Sequence, residues 1–521
     1  MVTMRSLLLM ATLLFSPMAA LAEGDSPADL YQKHCAQCHQ EGRLGGVGPA
    51  LLPENLSRLK VEGAVKVISD SRPASQMPPF KEVLTPEQIK AVADYIFTPL
   101  AKMPVWGMEE IKATHVVNHA TASLPEKPVF TANPLNLFVV VELGDHHATI
   151  LDGDKLEPIH RFATRFALHG GPKFSPDGRF VYFASRDGWV TKFDLYSLQV
   201  VAEIRAGINT RNLAVAGDGQ SVMVANYLPH TLVALDGETL KPIKVIPVED
   251  DNGKSSRVSA VYSAPPRNAF VAAMKDIKEV WEIPYNGKAA PIIAGWVHDF
   301  GSETGEELPI AKGPFPVRHI KVSDYLDDFL FDQSYTALVG ASRDGGKAMV
   351  LDLDVRKVVQ EIDLSGMPHL ASGITWERQG TTVLATPHLK EGMVSIIDMK
   401  TWQVIKRIPT PGPGFFMRSH ERSPYAWVDT FFSKNKEGVL IIDKESLEVV
   451  KTITPSPGKT AAHVEFTMDG KYALLSIWED DGAVVVYDGK TLEEVKRLPM
   501  KKPSGKYNVY NKINRSSGTS H

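Results

Sequence analysis

From about residue 130 onward the chain repeats itself, and that repeat limits the possible folds more than any other feature. The pattern is a turn with Asp or Gly, an apolar strand, a gap, then an apolar strand ending in Asp and a short turn. It runs through "VVVELGDHHATILDGDKL", "FSPDGRFVYFASRDGWVTKFDLYSL", "VAGDGQSVMVANYLPHTLVALDGETL" and "SAPPRNAFVAAMKDIKEVWEIPY". It continues through "YTALVGASRDGGKAMVLDLDVRK", "GTTVLATPHLKEGMVSIIDMKTW", "SPYAWVDTFFSKNKEGVLIIDKESL" and "FTMDGKYALLSIWEDDGAVVVYDGKTL". These eight copies are spaced mostly at about 40–48 residues, the length of a four-stranded propeller blade. A solenoid would need polar capping repeats, and none is recognisable. The repeat therefore predicts an eight-bladed β-propeller, whose wide centre suits a large flat ligand. The one longer interval holds "AGWVHDFGSETGEELPIAKGPFPVRH", read as an insertion between the fourth and fifth units that carries loops to the binding face.

The segment ahead of the repeat has a different texture. "MVTMRSLLLMATLLFSPMAALA" combines Arg5, an apolar run from Leu7 to Phe15, and Ala20 and Ala22 in A-x-A order. That is the pattern of a signal peptide over residues 1–22, cleaved after about Ala22. The apolar run is shorter than the roughly 20 residues of a membrane span, and no later stretch reaches that length. An exported protein is expected, periplasmic in a Gram-negative bacterium. The net charge is −4 with both signs interspersed, which argues against a nucleic-acid partner.

Cys35 and Cys38 in "YQKHCAQCHQEG" are the chain's two cysteines. Two residues apart, they cannot staple distant loops in an oxidising compartment. A zinc site would need two further ligands at matching spacing. C-x-x-C-H is the attachment signature of a c-type haem, with both sulfurs as thioethers and His39 on the iron. A second axial ligand is commonly Met. Met77 in "SQMPPF" is the candidate, ahead of a helix with Thr85 as N-cap and Glu87 in its first turn. Met103 and Met108 are rivals beyond that helix, and "GGVGPAL" is a loop suited to the haem edge. Residues 23–100 resemble a small class I cytochrome c. The expected organisation is thus α plus all-β: a helical cytochrome c domain over 23–105, then an eight-bladed propeller over 106–521.

The propeller could hold a second cofactor fed by the first, or bind a partner without catalysis. In "RFALHGG", His169 leads into the second unit beside Arg165, and Gly170 and Gly171 allow close approach of a flat ligand. Arg186, Arg211, Arg318 and Arg343 fall in blade-loop positions, and arginines suit the carboxylates of a porphyrin-like ligand.

The two-domain layout, with "LHGGPKFSPDGRFVYFASRDGWV", "NYLPHTLVALDGETLKP" and "PSGKYNVYN", resembles the cytochrome cd1 nitrite reductases over nearly the whole mature chain. The resemblance implies that His169 is the proximal ligand of haem d1, that Arg186 and Arg211 hold its carboxylates, and that Tyr227 hydrogen-bonds at its edge. It implies too that Ser504 and Tyr507 close over the ring from the last blade. One departure stands out. Those reductases use two distal histidines as acids, worth roughly 10²–10⁴-fold in rate. Here Asp327 falls near the first position and no histidine matches the second, with His369 and His388 flanking it.

A related family, the dihydro-haem d1 dehydrogenases, resembles this chain more fully. That resemblance implies oxidation of a propionate of a bound precursor tetrapyrrole to an acrylate, with electrons passing to the haem c. The alternatives are nitrite reduction and a carrier that only binds haem d1. A base is needed near the propionate. His420, between Arg418 and Arg422, is the first candidate because flanking cations favour a neutral imidazole. His319 is the second, as base or distal ligand, and Asp327 follows. His146 and His147 are expected to face solvent. Implied partners are other haem d1 maturation proteins, the cytochrome cd1 nitrite reductase and a periplasmic electron acceptor.

Overall fold

The computed structural model describes residues 25–514 apart from 46–47, 57–58, 72–76, 103, 166, 293–310, 312 and 343–345. The expected signal peptide, Met103 and Arg343 lie outside the described residues. Five helices come first: α1 (Pro27–His34), α2 (Ala36–His39), α3 (Pro53–Leu56), α4 (Lys60–Asp70) and α5 (Pro86–Ile96). Ser26 and Thr85 each accept from the backbone N–H three residues on, and Asp29 and Gln88 reciprocate, so α1 and α5 both start on a capping box. Apolar faces of α1, α4 and α5 meet in one core of Leu30, Tyr31, Ala64, Ile68, Ile89, Val92 and Ile96.

Eight sheets follow, as the repeat predicts. Each has four strands in antiparallel order from the inner strand outward. The turn after the third strand explains the recurring Asp. In the sixth blade Asp398 accepts from the N–H groups of Lys400 and Thr401 at 2.8 and 2.9 Å. In the eighth blade Asp488 accepts from Lys490 and Thr491, both at 2.9 Å. Four residues after each Asp the backbone turns left-handed, at Trp402 (φ 57°) and Leu492 (φ 59°), which aims the fourth strand back along the third.

Three placements differ from the sequence reading. The segment Pro503–Asn508 is not part of the last blade. It is the inner strand of the first blade, pairing with Leu137–Glu142 so that Val139 faces Tyr507, and it closes the ring. The long insertion lies within the fourth blade, between strands Glu279–Pro284 and Arg318–Lys321, so it does not separate two blades. Because strands alternate in direction, loops into inner strands share one rim with loops after second strands. Loops from third to fourth strands lie on the other rim, so the insertion springs from the face away from His169. Helix α6 (Met108–Ala113) packs its buried Ile111 in the core shared by the second and third blades. Val116–Val117 then adds a fifth strand to the second blade. Helix α7 (Val509–Asn514) ends the described chain.

The two parts touch through a small apolar seam. Leu44, Ala50, Leu52, Leu100 and Trp106 pack against Ile208 and Leu228 of the propeller. Trp106 donates from Nε1 to the Arg205 carbonyl at 3.1 Å, and the Arg205 guanidinium lies 4.7 Å from the centre of its ring. The same guanidinium donates to the Gly45 carbonyl at 3.3 Å.

Candidate functional sites

In the helical part, Cys35 ends α1 and His39 ends α2. The two thiols are not joined to each other. Burial, reinforced by Cys38, pushes the Cys35 thiol up to about 11, and burial raises Cys38 as well. His39 is buried, and its Nδ1 lies 2.7 Å from the Pro49 carbonyl. A carbonyl accepts only, so Nδ1 carries the proton and Nε2 carries the lone pair. Gly48 permits this contact: a Cβ there would stand 2.3 Å from the His39 ring. Met77 packs on the same core as Cys35, with its carbonyl accepting from Ser71 Oγ at 2.5 Å. Met108 starts α6, the helix whose Ile111 packs on the propeller, outside the α1–α4–α5 core. Two thiols one helical turn apart, an oriented imidazole and a thioether on one core fit the donor set of a c-type haem.

The second site lies on the central axis of the propeller. His169 sits on the loop into the inner strand of the second blade, and Arg186 on the loop after that blade's second strand. His169 Nδ1 is 2.7 Å from the Arg211 carbonyl, which again fixes the proton there. Its Nε2 lone pair accepts from Arg186 at 2.7 Å and from Arg211 at 3.0 Å. Gly170 and Gly171 hold left-handed backbone (φ 80° and 67°). A Cβ on Gly170 would meet Asn212 at 2.7 Å, and one on Gly171 would meet the Tyr507 ring at 2.9 Å. Those glycines bring His169 under the strand that carries Ser504 and Tyr507. Ser504 itself donates to the Val141 carbonyl at 3.3 Å.

The surroundings are cationic. Lys275 and Arg257 lie 5.0 and 5.6 Å from the Tyr227 ring centre. Burial alone would raise the Tyr227 phenol, but Arg211, Lys275 and Arg186 outweigh it and hold it below the usual range. Asp327 pairs with Lys275 at 3.3 Å, and Arg257 pairs with Asp276 at 2.6 Å. Burial raises the Asp328 carboxyl, which accepts from Tyr262 at 2.8 Å.

Across the axis from these cations stands a residue that the sequence reading missed. His463 lies on the inner strand of the eighth blade, at a bulge where the ladder skips from Ala462 to Val464 and φ is 56°. Its ring contacts Phe416 at 4.8 Å and Tyr507 at 5.1 Å between centres. Burial above all, then Lys506, Arg418 and Lys512, hold its pKa well below the ordinary value. It is a neutral imidazole at neutral pH. His369 also reaches this rim: its ring stacks on Phe415 at 4.6 Å and its Nδ1 meets the Phe415 carbonyl at 2.6 Å. It is close enough to Asp328 and Arg211 to feel both charges, whereas the sequence reading set it aside.

Two expected catalytic residues are misplaced. His420 lies in the turn from the first to the second strand of the seventh blade, on the opposite rim from His169. It is fully buried, accepts from Arg422 N–H at 3.1 Å, and a Cβ on Gly470 would come within 2.4 Å of its ring. Its pKa is lowered mainly by burial, and Arg418 is turned away into an ion pair with Glu465. His319 sits on the outermost strand of the fourth blade, Nδ1 2.9 Å from Glu279. Arg318, on the same strand, is paired with Glu282, and Arg165 with Glu203. None of these four can reach the axis. His388 is buried against Ser395, and His146 and His147 are half-buried with His147 tied to Asp145, so they do not face open solvent.

Residues 132–302 and 310–512 match the family described as Cytochrome D1 heme domain. Residues 22–96 match the family described as Cytochrome C oxidase, cbb3-type, subunit III. The chain is 55% identical over 507 residues to the dihydro-heme d1 dehydrogenase of Pseudomonas aeruginosa, covering 97% of this chain and 98% of that one. A nitrite reductase of Stutzerimonas stutzeri is 24% identical over 96% of this chain and 95% of its own length. The solved structure of dihydro-heme d1 dehydrogenase NirN in complex with DHE superposes with a TM-score of 0.82 at 55% identity, covering 94% of this chain and all of that one. With a cytochrome c-type domain ahead of its propeller, the chain belongs to the cytochrome D1 heme domain family.

Proposed function

We propose that this protein is a dihydro-haem d1 dehydrogenase, with residues 1–22 as an export signal, 23–105 as the cytochrome c domain and 106–521 as the propeller. One arrangement carries the reading at the residue level: His463 and the His169 loop meet the same Tyr507 ring, with Arg186 and Arg211 donating to His169. The reaction turns –CH2–CH2–COO⁻ of the substrate tetrapyrrole into –CH=CH–COO⁻, releasing two electrons and two protons. His169 offers its Nε2 lone pair to the substrate iron. The Arg186 and Arg211 N–H groups that donate to His169 Nε2 would then turn to side-chain carboxylates, with Lys275 and Tyr227 beside them. His463 accepts one proton from the propionate chain, a task suited to an imidazole that is neutral at working pH, and the second leaves to solvent. Tyr507 and Phe416 fix its ring and keep water from the carbon chain. Cys35, Cys38, His39 and Met77 would hold a haem c, which when bound supplies a one-electron acceptor. The seam at Trp106 and Arg205 keeps that domain against the blade carrying His169.

Among the described residues no helix is long and apolar enough to cross a membrane. We place the protein in the periplasm, receiving its substrate from other haem d1 maturation proteins, serving the cytochrome cd1 nitrite reductase, and passing electrons to a periplasmic acceptor. The test is to load the purified protein with the dihydro precursor and follow the visible spectrum and the extracted tetrapyrrole. Acrylate formation is expected. Rapid nitrite turnover without acrylate would contradict the reading, and tight binding with neither reaction would favour a carrier.

A further inference from the structure

Asp429 ends the second strand of the seventh blade and is 2% exposed. Among the described residues its carboxylate is held by backbone N–H groups from two separate segments. Oδ1 accepts from Phe415 at 2.8 Å and from Phe431 at 3.3 Å, and Oδ2 accepts from Phe416 at 3.1 Å. The Phe416 carbonyl in turn accepts from the Asp429 N–H at 3.2 Å. One side chain thus joins the loop into the seventh blade to the loop after its second strand, and holds the backbone of Phe416, whose ring meets His463 on the eighth blade.

The bulge is where such a tie matters. His463 is held at φ 56°, a conformation that costs a side-chain-bearing residue energy and persists only where its neighbours enforce it. The residue has left the regular ladder between Ala462 and Val464, and its ring lies 4.8 Å from that of Phe416, whose backbone Asp429 pins. From the other side, Lys506 Nζ donates to the His463 carbonyl, so one buried charged side chain holds the bulge backbone and another holds the wall its ring leans on.

We propose that Asp429 is a positioning residue for the propionate oxidation: it sets the direction of the His463 ring by accepting the N–H groups of the aromatic wall that flanks it. This rests on His463 being the base. Displacement of a reacting group by about 1 Å can cost on the order of 10²-fold in rate. Asp429→Asn keeps the size but replaces one acceptor oxygen with an NH2 that opposes the N–H donors. In the full-length protein carrying its haem c, precursor affinity is read from the absorbance change on titration and kcat from single-turnover acrylate formation. The expected result is a fall in kcat of about tenfold or more, with precursor affinity and haem c spectrum within about twofold of the unaltered protein. Asp429→Glu keeps both acceptors and should recover part of the loss. It also replaces Asp429→Asn, under the same criteria, should that variant fail to fold. An unchanged kcat, or a loss of affinity as large as the loss of rate, would overturn the proposal. His463→Ala measured alongside separates the two claims: if it stays active, the base is elsewhere, and if it is dead while Asp429→Asn is normal, only the positioning role fails.

Discussion

His39 and His169 are oriented by the same device in two unlike settings. Each has its Nδ1 proton on a backbone carbonyl 2.7 Å away, Pro49 for one and Arg211 for the other. In the helical domain that carbonyl lies ten residues along the same segment. In the propeller it comes from the neighbouring blade, 42 residues on. A site built from one segment is as stable as that segment. A site built from one or two side chains per blade depends on the whole ring being closed and in register.

That contrast can be broken from either end. The largest effect is expected from Cys35→Ser with Cys38→Ser, which should abolish covalent haem, read as loss of haem stain on a denaturing gel. Precursor binding to the propeller should survive; its loss would mean the two sites are not separately built. His169→Ala should do the converse, weakening precursor binding by about 100-fold through loss of the iron ligand and its hold on Arg186 and Arg211, with the haem c spectrum unchanged. The pH dependence sharpens the chemistry of the ring-built site. His463 works as a base only when neutral, and burial holds its pKa well below 6.5. The rate should therefore be flat down through pH 6.5 and fall only as pH drops through that depressed value. An acid limb centred at or above 6.5 would point to another base. The smallest effect is expected at the seam: Trp106→Ala removes a cation–π contact worth about 1 kcal/mol and the bond to the Arg205 carbonyl. It should slow oxidation about fivefold while leaving precursor affinity unchanged.

The same contrast decides what could be read from the sequence. C-x-x-C-H and its flanking capping residues act within a few positions of each other, so local spacing reveals them. The blade count was legible because the Asp turn is a local device repeated in seven of the eight blades, with Pro284 at the matching place in the fourth. Which end of each strand faces the site was not, because that depends on strand direction in the closed ring. His420 attracted attention through its arginine neighbours, yet it lies in a first-to-second-strand turn on the far rim. His463 has no conspicuous neighbours in "TAAHVEF". Counting back from the turn "FTMDG", however, puts it where Asn212 stands ahead of "VAGDG", one residue after Arg211. Register counted across the repeats, rather than chemistry judged within one of them, would have found it. Lys275 and Arg257 escaped for a related reason, since nothing in "MKDIKEV" or "SSRVSA" marks them until the blades converge. The closing strand Pro503–Asn508 was misassigned because only ring closure brings the end of the chain to its first blade.

The most direct test compares His463→Ala with His420→Ala in single-turnover oxidation of the bound precursor. The His463 variant should bind precursor normally and lose about 10²–10⁴-fold in acrylate formation, while the His420 variant keeps its rate within about twofold. A dead His420 variant beside an active His463 variant would contradict the placement of the chemistry on the axis of the propeller.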